Sequence, residues 1–533
     1  MRMIRRANPG LIVFLISAIL LSSCSTSGGY WVPPRAAEAG APALALLAET
    51  PSPQLSEPVP LPPDPVTPEP AILTSEAQDP SPEPEVITPV VPEVNTTPIL
   101  YYAQAADTLP VVAVRFGVAP EEITSPDPLP AQEFLNPGQL LVIPRRLANT
   151  TASMHLIPDS EVVYSPSAVN FNVHDFVNQA GGKLSRQKEW LKSTSTVSGA
   201  DVVLRVATEN SINPRLLLSL LEYQSHWVYG EPADLREGEY PLGLVDASQR
   251  GLYNQLVWAV NQLSIGYYAY REGRLTEIRF KDGLTARLAP DLNAGTVALQ
   301  YLFAQLYSGQ EWLDALDPIE GLPALHEQMF GNPWERARTV EPLFPAGIVQ
   351  PPLTLPFARN WVWSYTGGPH GAWEHDGAYA ALDFAPGSTE PGCVKSYAWV
   401  TASSSGLVVR SGYGVVVLDL DGDGYEQTGW VLLYLHLSNT DRVNVGDWVD
   451  EGDPLGHPSC EGGISTGTHL HIARKYNGEW IPADGPLPFN LGGWVAHAGE
   501  AAYKGILTRD DQTVVACTCS SYETRIMRGP DDP

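Results

Sequence analysis

Basic residues are scarce in this chain of 533 residues. Lys and Arg together number 32 against 60 Asp and Glu, which gives a formal net charge of −28 at pH 7. A protein that binds nucleic acid needs a basic face, so the composition argues against a nucleic-acid partner, and we expect none. The same excess of carboxylates argues against simple electrostatic adhesion to anionic cell-wall polymers or lipid headgroups.

The N-terminus lacks a hydrophobic run long enough to span a membrane comfortably. The apolar run from Leu11 to Leu21 follows an arginine-containing start and is too short for a transmembrane helix, so it predicts an export signal over residues 1–23. The signal ends in Leu21-Ser22-Ser23-Cys24, which resembles a bacterial lipobox. That resemblance implies cleavage before Cys24 and acylation of Cys24, which would anchor the protein to a membrane. The alternative is an ordinary secretory signal with an incidental cysteine.

Residues 24–97 are rich in Pro, Glu, Ser, Thr and Ala and have little apolar periodicity. A segment of this composition cannot bury enough surface to offset the entropy lost on ordering. It predicts a disordered, semi-stiff tether.

Residues 98–146 have the pattern of a small βααβ module, in which Glu121-Glu122-Ile123 opens the second helix. Three short pieces carry a family resemblance: Asp107-Thr108-Leu109, Pro137-Gly138-Gln139 and Ile143-Pro144. They resemble a LysM module, a carbohydrate-binding domain for glycans that contain N-acetylglucosamine. The loop from Thr124 to Phe134 is long and Pro-rich for that family, so the alternative is a structural module without a ligand. The residues that would bind glycan are left open.

Residues 155–345 give mostly helical signals. Asn213-Pro214, followed by an apolar run, predicts a helix start. The end of that helix loosely resembles the helix of lysozyme-like transglycosylases on which a catalytic Glu precedes Ser. Gln224 stands in that place, and an amide cannot protonate a glycosidic oxygen, so Glu222 is the only nearby candidate acid. We therefore predict a degenerate lysozyme-like domain that holds glycan or is structural, with muramidase-type activity as the alternative.

From residue 350 to 500 the pattern changes to short strands bounded by Gly, Asp or Ser turns, which predicts a β-rich domain. Asp419 to Gly424 has the acidic spacing of a calcium loop. It lacks the downstream Glu of an EF-hand and falls between two strands, so we predict a hairpin turn there. Residues 501–533 are predicted to be a C-terminal extension that adds strands and ends in a disordered segment.

Four motifs follow one another in this β-rich region. They are Gly367-Gly368-Pro369-His370, Ala381-Leu382-Asp383-Phe384-Ala385-Pro386, Tyr434-Leu435-His436-Leu437 and the stretch from Cys460 to His471. Together they resemble the lysostaphin-type zinc endopeptidases, most closely their β-lytic metallopeptidase branch. The resemblance implies an all-β antiparallel domain with an open groove that cleaves peptide bonds in peptidoglycan stems or cross-bridges.

Carried over to this sequence, the resemblance makes His370, Asp383 and His471 the ligands of a Zn²⁺ cofactor. Two imidazoles and one carboxylate leave a fourth position for water, as a catalytic zinc site requires. His469 lies two residues before His471, so both side chains would project from the same face of a strand. The family implies that His469 acts as general base or orients the water, and that His436 stabilises charge or passes a proton to the leaving amine. The sequence does not divide these two roles.

Some residues compete with this assignment or depart from the family pattern. His375 also precedes the aspartate, at a shorter interval that suits other branches, but the Gly-Gly-Pro-His context favours His370. Thr468 stands where the family often has Pro before the catalytic histidine. His457 and His497 fall outside the motifs, and we interpret them as surface or packing residues.

Cysteine is also scarce, with five in the whole chain. Export would place four of them in a compartment that permits disulfides. Cys393 and Cys460 flank the expected core of the peptidase domain, and we predict a bridge between them. Cys517 and Cys519 are too isolated for a zinc site, and a bridge across one residue is expected to be strained.

The sequence thus predicts a multidomain protein with a LysM-like module, a mostly α, lysozyme-like middle domain and an all-β peptidase domain. We expect an exported, lipid-anchored zinc metalloendopeptidase of the cell envelope, whose partners are peptidoglycan and the anchoring membrane. The alternative is a non-catalytic wall-binding scaffold or amidase activator of the same fold. Such relatives typically lack ligand residues, whereas here every ligand has a candidate.

Overall fold

The computed structural model describes residues 97–373, 376–519 and 521–532. Four predictions fall outside these residues: the export signal (1–23), the lipidation site Cys24, the tether (24–97, of which only Thr97 is described) and the alternative ligand His375. Within the described part of the chain, no helix is both long enough and apolar enough to cross a membrane.

The first folded module is built on two antiparallel strands, β1 (Ile99–Tyr102) and β2 (Leu140–Ile143). Helix α1 (Leu109–Phe116) packs against them through its buried apolar side chains. Thr108 caps the first turn of α1 by accepting a backbone N–H, and Gly117 ends the helix in the left-handed conformation at φ 67°.

The second helix that the sequence predicts in this module is only a 3₁₀ turn, Pro120–Glu122. Pro126, Pro128 and Pro130 follow within the next eight residues. Because proline has no backbone N–H and clashes with the preceding helical turn, this segment cannot continue a helix. The βααβ expectation is corrected to strand, helix, 3₁₀ turn and strand.

Residues 155–345 are mostly helical, as the sequence predicts. The helices among the described residues are α2 (Val173–Ala180), α3 (Lys183–Arg186), α4 (Gly199–Asn210), α5 (Pro214–Ser225), α6 (Leu235–Glu239), α7 (Leu252–Arg271), α8 (Ala294–Leu306), α9 (Gln310–Ala315), α10 (Leu322–Phe330) and α11 (Pro333–Ala337). Two hairpins interrupt them: β3 (Lys188–Leu191) with β4 (Ser195–Ser198), and β5 (Glu277–Arg279) with β6 (Thr285–Arg287). Helix α5 begins at the predicted place, because the Asn213 side chain accepts the Arg215 amide N–H at 3.0 Å.

The β-rich region forms a large antiparallel sheet. Its nine described strands are β7 (Val362–His370), β8 (Ala381–Pro386), β10 (Gly406–Gly412), β11 (Val415–Asp419), β12 (Trp430–Leu435), β13 (Trp448–Val449), β15 (Leu470–Tyr476), β16 (Glu479–Trp480) and β21 (Arg525–Met527). Eight of them lie in the order β13–β10–β11–β12–β15–β8–β7–β21, and β16 pairs with β15. The acidic loop after Asp419 joins β11 to β12 as a hairpin, as predicted.

Smaller strand groups complete this region. Four strands form a second antiparallel sheet: β17 (Asn490–Leu491), β18 (Trp494–Ala498), β19 (Gly505–Arg509) and β20 (Gln512–Val515). A separate pair consists of β9 (Val400–Thr401) and β14 (Pro454–Gly456).

Both faces of the large sheet are buried. Along β11 and β12, Val416 and Leu432 pack into the cluster that contains the four-stranded sheet. Their neighbours Val417 and Leu433 pack into the cluster of the helical region. Because successive side chains of a strand point to opposite faces, the helical region and the small sheet cover opposite faces of the large one.

The C-terminal extension belongs to the fold of the β-rich region. Strands β19 and β20 are part of the four-stranded sheet, and β21 pairs with β7 at the edge of the large sheet. The sequence predicts a disordered end, but the described residues up to Asp532 are folded. Arg528 is buried and pairs with Glu451 at 2.7 Å, and the Asp532 carboxylate pairs with Arg509 at 3.0 Å. These partners are distant in the sequence, so local composition does not reveal them.

The extension also contains a disulfide between Cys517 and Cys519. We expect a bridge across a single intervening residue to be strained, and that expectation stays a prediction. The chain bends between them, so the Cα atoms are 5.1 Å apart, within the usual range for a disulfide.

A buried charged cluster joins the helical region to the large sheet. The guanidinium of Arg271 pairs with the Asp159 carboxylate at 3.0 Å and with Glu479 of β16 at 3.2 Å. The Tyr267 hydroxyl donates to Glu479 at 3.0 Å. Arg271 also donates to the backbone carbonyl of Ala105 in the first module, so one side chain contacts three parts of the fold. Burial raises the pKa of Glu479 to about 7, which the Arg271 guanidinium opposes.

This raised pKa predicts a pH-dependent stability. The pKa of Glu479 is about 7 in the folded protein, against an ordinary value of 4.5. Between these two pH values the folded protein keeps the Glu479 proton, whereas the unfolded chain loses it. The stabilising contribution of Glu479 is complete below pH 4.5 and is lost as the pH rises through about 7. For Glu479→Gln, we expect the free energy of unfolding relative to the parent to rise by roughly 3 kcal/mol between pH 5 and pH 8 in urea titrations.

The exposed carboxylate of Glu277 on β5 provides the control for this prediction. Glu277→Gln should keep a constant stability relative to the parent over the same pH range. A constant difference for Glu479→Gln as well would contradict the role given to Glu479.

Candidate metal centre and its groove

Three adjacent strands carry the predicted ligands to one place. Strand β15 lies between β12 and β8, and His471 is the direct partner of Asp383 on β8. His370 ends β7 opposite Ala381 of β8. The sheet register therefore places His370, Asp383 and His471 side by side, although they span about a hundred residues of sequence.

The donor atoms of these three residues converge. His370 Nε2 lies 3.3 Å from Asp383 Oδ1, His471 Nδ1 lies 3.2 Å from the same oxygen, and the two nitrogens are 3.0 Å apart. Ligand atoms about 2.0–2.1 Å from one tetrahedral ion lie roughly 3.3 Å from one another. The spacing therefore fits a single metal ion held by all three residues.

Backbone carbonyls orient both imidazoles. His370 Nδ1 is 2.7 Å from the Gly368 oxygen, and His471 Nε2 is 3.0 Å from the Ala372 oxygen. A carbonyl only accepts, so these ring nitrogens carry the hydrogens, and the lone pairs of the opposite nitrogens face the centre. Among the described residues, Asp383 Oδ1 is buried without a hydrogen bond of normal geometry. An orphaned buried carboxylate oxygen beside two imidazole lone pairs fits a divalent cation with nitrogen and oxygen ligands.

The electrostatics of the centre also favour a cation. Burial by itself would raise the pKa of Asp383, but the imidazoles of His370 and His469 hold that pKa well below its usual range. Burial also opposes protonation of His370, yet the Asp383 carboxylate raises the pKa of His370. Burial lowers the pKa of His471, which keeps that imidazole neutral and able to act as a ligand.

The first glycines of the motif are required by this packing. A Cβ on Gly367 would lie 2.6 Å from Asp383 Oδ2, and a Cβ on Gly368 would lie 2.5 Å from the Lys504 carbonyl oxygen. Both distances are shorter than real contacts of a Cβ atom. A side chain at Gly367 would push β7 away from Asp383 on β8, and one at Gly368 would push β7 away from the backbone at Lys504.

The two further predicted histidines lie beside the centre. His469 Nε2 is 3.7 Å from Asp383 Oδ1, while its Nδ1 is 2.8 Å from the Gly467 oxygen. The ring of His436 is 4.4 Å from that of His469, and its Nδ1 is 2.9 Å from a backbone carbonyl. Burial, followed by the charges of His469 and His471, lowers the pKa of His436 well below its usual range. Both histidines therefore present an Nε2 lone pair next to the centre.

One residue at the site escaped the sequence analysis. Tyr503, from the C-terminal extension, stacks on the His370 ring with centroids 4.1 Å apart. It lines the groove, and burial followed by the Asp383 charge raises the pKa of its hydroxyl. No motif surrounds Tyr503 in the sequence, and only the docking of the extension brings it to the ligands.

An open groove of about 1140 Å³ contains the centre. One wall is formed by residues 387–398 apart from Cys393, and residues 462–469 form another side of the groove. The predicted disulfide between Cys393 and Cys460 is present and ties these two sides together. Every described residue that lines the groove belongs to the β-rich region or its extension, so the helical region leaves the groove uncovered.

The remaining candidate histidines lie apart from the centre. His457 stacks on Trp399 with centroids 3.9 Å apart, and His497 contacts the Thr508 hydroxyl at 2.8 Å. Both are packing residues of the β-rich region. The choice of His370 over His375 stays a prediction, because His375 lies outside the described residues.

Glu222, the candidate acid of the helical region, is occupied by the backbone. Its Oε2 accepts the amide N–H groups of Val228 and Tyr229, each at 2.9 Å. Glu222 is 9% exposed. The carboxylate therefore closes the turn after α5, which is a structural contact.

Two family models match separate parts of the chain. The model of the LasA N-terminal domain matches residues 155–344, and the model of peptidase family M23 matches residues 393–482. The C-terminal region carries an M23-type peptidase domain. The M23 match contains His436, His469 and His471 but begins after His370 and Asp383, so the ligand roles of these two rest on geometry and motif.

Curated relatives and solved structures are similar over parts of the chain. Protease LasA of Pseudomonas aeruginosa strain UCBPP-PA14 is 28% identical over 307 residues, which cover 53% of this chain and 68% of that protein. The form from strain PAO1 is 27% identical over the same length. Among solved structures, the M23 metalloprotease pseudoalterin from the deep sea is 25% identical, covering 32% of this chain and 96% of its own, with a TM-score of 0.26. The catalytic domain of lysostaphin from Staphylococcus simulans is 28% identical, covering 23% and 90%, with a TM-score of 0.17.

Proposed function

We propose that this protein is an exported zinc metalloendopeptidase that cleaves peptide bonds in the stems or cross-bridges of peptidoglycan. The observation that carries the proposal is the convergence of His370, Asp383 and His471 within 3.3 Å of one another in an open groove. The M23-type domain and the similarity to Protease LasA support the peptidase class. A non-catalytic scaffold would have no need of a complete ligand set with two more histidines beside it.

The chain's own residues provide the proton carriers for peptide hydrolysis. When bound, zinc would polarise the scissile carbonyl and make a water molecule nucleophilic near neutral pH. His469 would take the proton of that water at Nε2, because the Gly467 carbonyl holds the hydrogen on Nδ1. His436, buried and neutral, offers a second Nε2 through which the proton would pass towards the leaving amine. In each ring a backbone carbonyl accepts the Nδ1–H, and this hydrogen bond holds Nε2 in place.

Tyr503 is expected to stabilise the negative charge that develops on the carbonyl oxygen. Its ring stacks on His370 and its side chain lines the groove, so the hydroxyl can donate towards a bound peptide. Tyr503→Phe keeps the stack and removes the donor. We expect kcat to fall roughly 10²–10³-fold with bound zinc unchanged, since that is the usual effect of losing one such donor. A variant with parental kcat would remove Tyr503 from the mechanism.

Digestion of purified peptidoglycan tests the proposed function and separates it from glycan cleavage. The parent should release new free amino groups and no new reducing ends. Glu222→Gln removes only the candidate acid of the helical region and should release the same amino groups. New reducing ends that disappear in Glu222→Gln would instead assign the activity to the helical region.

The proposal also includes a lipid anchor at the N-terminus and targeting to glycan by the first module. The lipobox-like sequence at Cys24 supports a lipid anchor, and the LysM-like motifs support targeting to glycan. In the first module, Gln104 donates to the carbonyls of Asp291 and Leu292, each at 3.1 Å, and Phe134 lies 6.0 Å from Phe344. The helical region thus contacts the loops of the module that contain Gln104 and Phe134, which reduces the surface of these loops that a glycan could reach.

A further inference from the structure

One wall of the groove has no regular secondary structure. It consists of residues 387–399, between β8 and β9, and residues 387–398 line the groove beside the metal centre apart from Cys393. A loop without sheet pairing keeps one conformation only if contacts elsewhere offset the entropy of ordering it. The segment that leads into β15 supplies those contacts.

Thr468 makes three hydrogen bonds to this wall. Its hydroxyl donates to the Val394 carbonyl at 2.5 Å and accepts the Val394 N–H at 2.9 Å, and its own N–H donates to the Gly392 carbonyl at 3.1 Å. Thr468 thus pairs with both backbone groups of Val394, as a neighbouring strand would. Proline, which related peptidases often have at this position, offers neither the hydroxyl nor the N–H.

The disulfide holds the same part of the wall. Cys393 is bonded to Cys460, with the Cα atoms 5.8 Å apart. The residue before Cys460 is Ser459, whose N–H donates to the His436 carbonyl at 2.6 Å and whose carbonyl accepts the His469 N–H at 3.3 Å. The segment that holds the wall is therefore also bonded to both proton-carrying histidines.

We propose that Thr468 and the Cys393–Cys460 bridge form a clamp that positions this wall to receive the peptide substrate. Thr468 is a positioning residue, because it touches the wall and not the reacting atoms. A second anchor lies at Ala398, whose carbonyl contacts His457 Nδ1 at 2.8 Å. Between the two anchors the wall presents residues 395–397 to the groove, and Tyr397 is 74% exposed.

The clamp acts on substrate binding more than on chemistry. A wall that is already ordered saves the peptide the entropy of ordering it on binding. Loosening the clamp should therefore raise KM while the ligands and proton carriers keep their places on the sheet. This inference rests on the proposed peptidase activity of the same groove.

Thr468→Val separates the clamp from the catalytic residues, since it keeps the side-chain shape and the backbone N–H. Losing two ordinary hydrogen bonds should raise KM for purified peptidoglycan roughly tenfold. We expect kcat to change less than about twofold and zinc content to stay constant, the pattern of lost binding without lost chemistry. Thr468→Ser keeps the hydroxyl and should restore the parental KM. A fall in kcat at constant KM would show that Thr468 acts through His469 and would overturn the proposal.

Hydrogen–deuterium exchange tests the clamp without any substrate. Backbone amides of residues 388–398 should exchange roughly tenfold faster in Thr468→Val, and faster in the double variant Cys393→Ser with Cys460→Ser. The double variant Cys517→Ser with Cys519→Ser removes the other disulfide of the domain and should leave exchange in the wall unchanged. Parental exchange in both clamp variants would overturn the clamp. A parent that releases no amino groups would instead overturn the proposed function, and the exchange result would still decide on the clamp.

Discussion

Replacing His471 by alanine is expected to remove bound zinc and peptidoglycan cleavage together. His471 Nδ1 is one of three donor atoms that lie 3.0–3.3 Å from one another, and two remaining donors cannot hold a catalytic ion tightly. Loss of a residue that only hydrogen-bonds to a metal ligand already lowers metal affinity about 10–100-fold. Loss of the ligand His471 itself should therefore lower zinc affinity more than roughly 100-fold. Metal analysis after dialysis and release of amino groups from peptidoglycan measure the two effects.

His497→Ala is the matched control, because His497 lies in the same domain and outside the groove. It should keep the parental zinc content and rate. Unfolding midpoints of both variants, measured in chelator, show whether the fold is intact without metal. A folded His471→Ala protein that retains zinc and cleaves peptidoglycan would contradict the ligand assignment.

His469→Ala is expected to leave zinc bound and to stop the reaction. His469 Nε2 lies farther from the Asp383 oxygen than either ligand nitrogen, at 3.7 Å, and its Nδ1 is held by the Gly467 carbonyl. We therefore expect the zinc content of the parent, a KM close to that of the parent and a kcat lowered roughly 10²–10⁴-fold, which is the usual contribution of a positioned proton carrier.

The pair of variants separates ligand from proton carrier on one strand face. If His471 is a ligand and His469 is not, zinc is lost in His471→Ala and retained in His469→Ala. If His469→Ala loses its zinc as well, His469 is a ligand and the proton must be carried by another group, of which His436 is the nearest described candidate.

The residues of the candidate metal centre could be named from sequence, because each lies in a short motif and the motifs follow one another in a fixed order. His469 and His471 alternate as a strand requires, and the Gly-Gly pair before His370 matches a backbone that leaves no space for a Cβ. The sequence could not show that β15 lies between β12 and β8, since strand pairing depends on contacts far apart in the chain. That pairing, and not the motifs, sets the distances between donor atoms.

Contacts between distant parts of the chain also explain most features that the sequence does not predict. Tyr503 reaches the centre through backbone hydrogen bonds to Gly368 and Pro369, at 3.0 and 3.2 Å, and the end of the chain is held by partners such as Glu451. The helical region covers one face of the large sheet. This packing depends on every second side chain of a strand contacting helices that lie earlier in the chain. In the first module, by contrast, the cause is local, because the prolines after Pro120–Glu122 forbid the second helix.

Zinc-dependent release of amino groups from purified peptidoglycan tests the central claim most directly. The parent protein should produce new N-termini, identified by mass spectrometry of the released peptides. Production should stop with chelator and return when zinc is added back. No new N-termini from a folded, zinc-loaded parent, or equal release in the presence of chelator, would contradict the assignment of His370, Asp383 and His471 to a catalytic zinc centre.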